Sequence, residues 1–151
     1  MPLWNIYHPE GTFEDNASKE AFAKDITVFY TNIGLPAFYV VGQFIKLPTN
    51  SIVIGGKILD QKTPFVRITI DHIAVRLPNE DQVYKRTREG INQILKKHIF
   101  DKGWDGEFHV NETERKLWMV NGLYAPPFGS EEEKAWTKAN KALPWDGMNL
   151  P

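Results

Sequence analysis

Met1-Pro2-Leu3-Trp4-Asn5-Ile6-Tyr7 is an apolar stretch that predicts a β-strand beginning directly at a proline. A proline is tolerated there because its ring fixes φ and the start of a strand does not need its missing N–H. If Met1 is removed, which a residue as compact as proline at the second position permits, Pro2 becomes a secondary amine that can carry a proton. At this point a structural proline and a catalytic proline are both open.

Composition narrows the class of protein. A chain of 151 residues with 42% hydrophobic content is long enough for one domain with a buried core. The net charge of −1 and the lack of a long basic run argue against nucleic-acid binding. The chain has no cysteine, which excludes disulfides and thiolate metal sites. With neither a leader pattern nor a long apolar run, we expect a cytoplasmic protein that does not enter membranes.

The first half of the chain predicts a strand, a helix, a strand and a short turn-bound piece. Asp15-Asn16 can cap a helix over about 17–33, where apolar residues recur at three- and four-residue spacing. Residues 38–45 are rich in β-branched and aromatic side chains and predict a strand closed by a proline. A short apolar run then ends at Gly55-Gly56, where the backbone is expected to turn.

The second half repeats this order. Residues 64–75 predict a long strand in which Val66, Ile68 and Ile70 share one face. Asn79 and Gln82 resemble a capping box that opens a helix reaching about residue 100. A strand over 107–112 and a short apolar run that ends at Asn121-Gly122 follow.

The repeat, with a period of about 62 residues, predicts the fold class, a duplicated β-α-β fold of the α/β (α+β) type. We expect one domain with halves at about 1–62 and 63–125, a four-stranded sheet with both helices on one face, and a C-terminal arm over 126–151. The uncovered face, with Tyr39, Val41 or their alternates, predicts an oligomer. In the arm, Ser130 and Glu133 predict a capped helix bearing Trp136, either docked on a surface or part of a flexible tail.

These features together resemble the tautomerase superfamily, and more narrowly its cis-3-chloroacrylic acid dehalogenase branch with fungal relatives. The residues that carry the resemblance are Pro2, the stretches 26–30 and 53–56, the strand from Phe65 to Arg76, and the segment 109–122. The resemblance implies a homotrimer in which the freed N-terminal proline is the catalytic acid or base. It also implies a small carboxylate substrate.

Further site residues follow from the resemblance. Arg76 matches one of two arginines that grip a substrate carboxylate, a role that suits its planar fork. Near the position of the second arginine, His72 is a possible donor, with Arg67 as a further candidate. Tyr30 and His109 fall where the dehalogenases carry a catalytic histidine and tyrosine. Each of these has an ordinary structural alternative, as a core tyrosine, a strand histidine or a surface arginine.

One substitution bears on the reaction. Where the dehalogenases have a water-activating glutamate, this chain has Val120, with Asn121 beside it as a candidate substrate-binding residue. Glu112 and Glu114 are nearby acids. Because enol to keto tautomerisation needs chiefly one proton carrier and an anchor for the acid group, we expect a tautomerase acting on a small enol or 2-oxo acid. The alternatives are a hydratase, dehalogenase or decarboxylase, and a non-catalytic trimeric binding protein.

No metal or cofactor is expected. The histidines at 8, 72, 98 and 109 have no ligand spacing. Gly55-Gly56 is not a phosphate-binding loop.

Overall fold

A computed structural model describes residues 1–59 and 62–148 of the chain. Its strands and helices alternate in the predicted order. They are β1 (Pro2–Pro9), α1 (Asn16–Thr31), β2 (Val41–Leu47), β3 (Val53–Ile54), β4 (Lys57–Ile58), β5 (Phe65–His72), α2 (Asp81–His98), β6 (Asp105–Glu112), β7 (Met119–Val120), β8 (Leu123–Tyr124) and α3 (Glu131–Ala139). Short 3₁₀ turns connect several of them.

The main sheet has four strands in the order β2-β1-β5-β6. Strands β1 and β2 pair in parallel, as do β5 and β6, and β1 and β5 join the two pairs in antiparallel register. Each parallel pair is connected through one helix, α1 or α2, as a β-α-β crossover requires. The predicted duplicated β-α-β fold with a four-stranded sheet is therefore confirmed.

The core lies between one face of the sheet and the two helices. The alternation of residues along β5 buries Val66, Ile68 and Ile70, as predicted. Facing helix residues are likewise buried, namely Phe22, Ile26, Tyr30, Ile91 and Leu95. The helices also contact each other directly, since His98 of α2 stacks on Phe22 of α1. Both helices thus cover the same face of the sheet.

The predicted strand over 38–45 is shifted in the structure. Phe38 and Tyr39 belong to the 3₁₀ turn Ala37–Tyr39, and the strand begins at Val41. Pro36 stands just before this turn, and its fixed φ favours a turn despite the β-prone residues that follow. Tyr39 is consequently buried in the core, whereas Val41 pairs with Leu3 in the sheet. The expectation that Tyr39 lies on the uncovered face was wrong.

Helix capping follows the prediction in part. Asp15 caps α1, its Oδ1 accepting from the Ser18 N–H at 2.7 Å. The predicted capping box at Asn79 was wrong, because α2 begins after Glu80, which makes no side-chain cap. Asn79 instead accepts a hydrogen bond from the Tyr84 hydroxyl at 3.1 Å. The side-chain oxygen of Asn79 is therefore used by Tyr84 and does not cap the N-terminus of α2.

The C-terminal arm packs on the domain through residue 147. Ser130 caps α3 by accepting from the Glu133 N–H, as predicted. The Trp136 indole is buried and donates to the Leu143 carbonyl at 2.8 Å. Trp145 donates to the Tyr124 carbonyl at 2.8 Å. The arm is therefore docked over this length, and residues 149–151 of the predicted arm lie outside the described part of the chain.

Two short hairpins expose apolar side chains. Hairpin β3–β4 turns at Gly55-Gly56 and hairpin β7–β8 at Asn121-Gly122. Ile58 of the first hairpin is 63% exposed, and Leu117 just before the second is 80% exposed. These side chains contribute little to the core of a single copy, and they mark surfaces on which another chain can pack. Among the described residues, no helix is both long and apolar enough to cross a membrane.

Candidate active site

Pro2 is buried at the start of β1, directly opposite His72, the last residue of β5. The antiparallel register pairs these two residues, and their even-numbered neighbours on both strands face the helices. Pro2 and His72 therefore reach the space between the sheet and the helix layer. This position explains why Pro2, although it is the first residue of its strand, is buried.

An apolar cavity of about 210 Å³ opens at this end of the sheet. Four parts of the chain form it: the start of β1, the end of α1, the loop after β5 and the first turns of α2. Its lining residues are Pro2, Phe29, Tyr30, Ile33, Leu35, His72, Ile73, Ala74, Val75, Leu77, Arg86 and Thr87. Most of them are hydrocarbon or aromatic. The cavity thus suits an apolar substrate body with few polar groups.

Trp4, Tyr30 and His72 form a buried hydrogen-bonded chain beside the cavity. The Trp4 indole donates to the Tyr30 hydroxyl at 3.0 Å, and that hydroxyl lies 2.8 Å from His72 Nε2. Since the Tyr30 oxygen accepts from Trp4, its own proton is free to be donated to His72. The network then assigns the histidine proton to Nδ1. Two predicted site residues, Tyr30 and His72, are therefore brought together with Pro2.

Burial holds His72 neutral. It lowers the pKa of His72 from 6.5 to about 4, and the carboxylates of Glu112 and Asp71 oppose this shift only in part. Burial likewise raises the pKa of Tyr30. At neutral pH this pair presents hydrogen-bonding groups without charge. His72 therefore cannot replace the second arginine as a cation.

The pH dependence of stability should report this buried histidine. Because the folded-state pKa of His72 is below its unfolded value of 6.5, the unfolded chain binds more protons between pH 6.5 and 4. The free energy of unfolding should consequently fall as the pH drops through this window, with a contribution of about 3 kcal/mol from His72. The substitution His72→Gln should flatten the dependence, as urea titrations at pH 7 and pH 4 would measure.

Equal urea m-values would show that the two proteins unfold through the same transition. If His72→Gln loses as much stability as the unmodified chain between these pH values, His72 is not the neutral group proposed here.

The amine of Met1 is buried in a setting that disfavours its charge. Its pKa falls from 8.0 to about 4, first through burial and then through the positive charge of Arg115, with Glu133 opposing. The Met1 carbonyl accepts from the Ile73 N–H at 3.2 Å. Removal of Met1 would free that N–H next to the Pro2 nitrogen. Arg115 was not predicted from the sequence, and Glu133 was predicted only as part of a helix cap, because the packing of the arm brings the two together.

The predicted arginine Arg76 is exposed and does not line the cavity. Its neighbours Val75 and Leu77 do, so Arg76 lies on the loop at the cavity's edge. The cavity's cation is Arg86, from the second turn of α2. Sequence analysis missed Arg86. The signal that could have indicated Arg86 is its position in the sequence, directly before Thr87, which lies on the apolar stripe of α2.

His109 and Asn121 are separate from this cavity in the single chain. His109 is exposed on β6, where its Nδ1 lies 2.5 Å from Arg67 Nη2. Arg67 also forms an ion pair with Glu107. Asn121 has a φ of 52° in the turn of hairpin β7–β8, a conformation that asparagine tolerates well. His109 lines a second cavity, which shares Leu77 and Thr87 with the first. The predicted roles of His109 and Asn121 stay predictions.

The acids near position 120 have structural partners. Glu112 accepts from the Leu77 N–H at 2.6 Å, and Glu114 accepts from the Lys116 N–H at 3.2 Å. Val120 lies in β7 and is half-buried. Over residues 1–59 and 62–148, no group of three or more histidine or acidic side chains could hold a metal ion.

The chain is similar to known proteins in both sequence and structure. A sequence profile described as putative oxalocrotonate tautomerase enzyme matches residues 1–141. The chain belongs to this family. No curated protein matches the sequence.

Solved structures place the chain among the family's members. RhCC from Rhodococcus jostii RHA1 is 35% identical, with 95% of this chain and 99% of that chain covered and a TM-score of 0.89. A probable enzyme from the thermophilic fungus Aspergillus fumigatus is 37% identical over 96% of this chain and 98% of that one, with a TM-score of 0.86.

A more distant structure extends the comparison. N1, a member of the cis-3-chloroacrylic acid dehalogenase family, is 18% identical over 91% of this chain and 97% of that one, with a TM-score of 0.67. This identity supports a shared fold alone. The resemblance to the tautomerase superfamily, with dehalogenase-like and fungal relatives, is confirmed.

Proposed function

We propose that the chain, once Met1 is removed, catalyses proton transfer on a small enol or 2-oxo carboxylic acid. The single observation that carries this proposal is the burial of Pro2 in an apolar cavity opposite His72. The Pro2 amine takes the proton of the enol hydroxyl and then delivers it to the adjacent carbon, which gives the ketone. The C=C double bond of the enol becomes a single bond as the C=O double bond forms, and no group leaves or enters.

The surroundings of Met1 favour an unprotonated Pro2 amine at neutral pH, once Met1 is removed. Burial and the Arg115 charge lower the pKa of the Met1 amine, and the Pro2 nitrogen lies one residue further into the same setting. A general base works best when its pKa lies near the working pH, where it is partly unprotonated and still takes up a proton readily. The freed Ile73 N–H would supply a hydrogen bond to the substrate beside that nitrogen.

The acid group of the substrate requires a cation near the cavity. Arg86 lines the cavity and Arg76 lies on its edge, so we assign the acid group to this side. Tyr30 and His72 are uncharged at neutral pH and are hydrogen-bonded to each other, so they do not neutralise the acid group. An apolar body held by one cation favours a substrate with a hydrophobic side chain and one carboxylate.

Proton transfer is favoured over dehalogenation, hydration or decarboxylation. Water activation needs a second base, and Val120 cannot take a proton. Glu112 and Glu114 already accept backbone hydrogen bonds elsewhere. The remaining alternative is a binding protein that kept the fold without the chemistry.

We further propose a homotrimer. The sheet face opposite the helices is lined by Leu3, Tyr7, Val41, Ile45 and Phe65, which are half-buried in the single chain. Both hairpins add exposed apolar side chains. A further copy of the chain would cover these surfaces.

Two forms of the same sequence test the proposal. Chain expressed normally should lack Met1 by intact mass and should ketonise phenylenolpyruvate, whereas chain made under inhibition of methionine aminopeptidase should keep Met1 and lose turnover. The two forms differ only in Met1, whose presence ties the Pro2 nitrogen into an amide and occupies the Ile73 N–H. Equal, measurable turnover of the two forms would reject the amine as base, and no turnover in either form would leave the binding-protein alternative.

A further inference from the structure

Phe29 of α1 forms one wall of the cavity that holds Pro2. Its half-buried ring lines this cavity and also lines a surface groove between α1 and α2, together with Asp25, Asn32 and Lys97. The ring packs edge-on against Tyr30, with the two ring centroids 5.0 Å apart. Because the same side chain lines both spaces, Phe29 separates the cavity from the groove.

Gly90 of α2 provides the place in which this ring lies. A Cβ atom at position 90 would lie 2.6 Å from Cε2 of Phe29, which is closer than real side chains approach. Gly90 is in the interior of α2, where glycine is less favourable than alanine, and its φ is not positive. The close approach of the Phe29 ring is thus the feature that requires glycine here, and Gly90 positions that ring.

The apolar part of the substrate faces the α1 side of the cavity. The reacting carbon lies at Pro2 and the acid group at Arg86, which leaves the hydrocarbon wall formed by Phe29, Ile33 and Leu35. An apolar cavity of about 150 Å³ holds one molecule of benzene. The cavity here, of about 210 Å³, therefore has room for one ring and a short chain.

We propose that Phe29, seated against Gly90, is a specificity-determining residue that limits the apolar part of the substrate to one ring. The inference rests on the proposed function and deepens it, because it names the substrates as enol forms of 2-oxo acids that carry one ring on the third carbon. A second ring would extend into the space that the Phe29 side chain fills.

Ligands of two lengths test the role of Phe29. 3-Phenylpropionate has one ring and 3-(4-biphenylyl)propionate has two, and calorimetry on chain that lacks Met1 gives both affinities. The unmodified chain should bind the two-ring ligand at least about tenfold more weakly, since overpacking of a filled site is unfavourable. Phe29→Ala should open the cavity into the groove, so this ratio should fall at least about tenfold. The milder truncation Phe29→Leu should lower the ratio in the same direction.

Gly90→Ala tests the position of the ring from the side of α2. The added methyl group would displace the ring, so the affinity for 3-phenylpropionate should fall at least about threefold, although alanine is the better helix former. In a Phe29→Ala background the same substitution should leave this affinity unchanged, because the ring is gone. A glycine with a purely structural role would not give this coupling.

Leu77→Ala is the matched control. Leu77 also lines the cavity, but it separates it from the second cavity and follows Arg76 in the loop after β5. Its truncation should therefore leave the two-ring ligand bound at least about tenfold more weakly than the one-ring ligand. Admission of the two-ring ligand by Leu77→Ala and not by Phe29→Ala would overturn the proposal. Equal binding of both ligands by the unmodified chain would overturn it as well.

Failure of the proposed function would give a different pattern. Neither ligand turns over, so the ratios do not depend on Pro2 as a base. If phenylenolpyruvate shows no Pro2-dependent turnover while the ratios change as expected, the proposed function fails and the size limit stands. Pro2-dependent turnover with unchanged ratios would reject the role of Phe29 alone. Failure of the processed chain to bind 3-phenylpropionate would reject both.

Discussion

Replacing Pro2 with alanine should lower the turnover of phenylenolpyruvate at least about tenfold, the lower range of what a positioned proton carrier contributes. Alanine also permits removal of Met1 and leaves a primary amine, so some activity should remain. What is lost is the rigid ring that directs the nitrogen lone pair into the cavity. Initial rates measured on chain of verified intact mass would give the comparison.

Pro9→Ala provides the matched control. Pro9 is a buried proline at the opposite end of β1, so its substitution perturbs the same strand without touching the cavity. We expect its rate to match the unmodified chain. If Pro2→Ala and Pro9→Ala have the same rate, Pro2 is a structural proline and the proton carrier lies elsewhere.

Ile58→Lys should convert the proposed trimer to single chains. Ile58 is 63% exposed on hairpin β3–β4, so the substitution should affect the folding of one copy very little. In a trimer the same position would bury three unpaired ammonium groups, each at a cost of several kcal/mol. Light scattering after size exclusion should give about three times the chain mass of 17.4 kDa before the substitution and one chain mass after it.

Val28→Lys is the control for this experiment. Val28 is also an exposed apolar residue, at 46%, but it lies on α1, away from the uncovered sheet face and the hairpins. Its variant should keep the higher mass. A single-chain mass for the unmodified protein, or a trimer that tolerates Ile58→Lys, would contradict the proposed packing.

The sequence predicted those parts of the fold that depend on local periodicity. Val66, Ile68 and Ile70 alternate with polar residues, and this period of two placed β5 and its buried face correctly. The prediction was wrong at Tyr39, because β-prone composition cannot show that a proline-led turn delays the strand. Asn79 failed as a cap for a similar reason, since a neighbouring tyrosine takes its side chain.

Three residues of the candidate site, Pro2, Tyr30 and His72, could be predicted from the sequence. Pro2 could be found because its position in the chain carries the chemistry. Arg115 could not, since it acts on the Met1 amine from a distant part of the chain. Its ion pair depends on α3, which supplies Glu133 from still further along the chain. Tertiary packing of this kind has no local signal.

The internal duplication is unequal in one chemical respect. β5 occupies in the second half the place that β1 has in the first, but it begins at Phe65, whose nitrogen is in the amide bond with Pro64. If Met1 is removed, only the first half presents a backbone amine at the start of its strand. A reagent that alkylates this nitrogen should accordingly saturate at one equivalent per polypeptide, despite two similar halves.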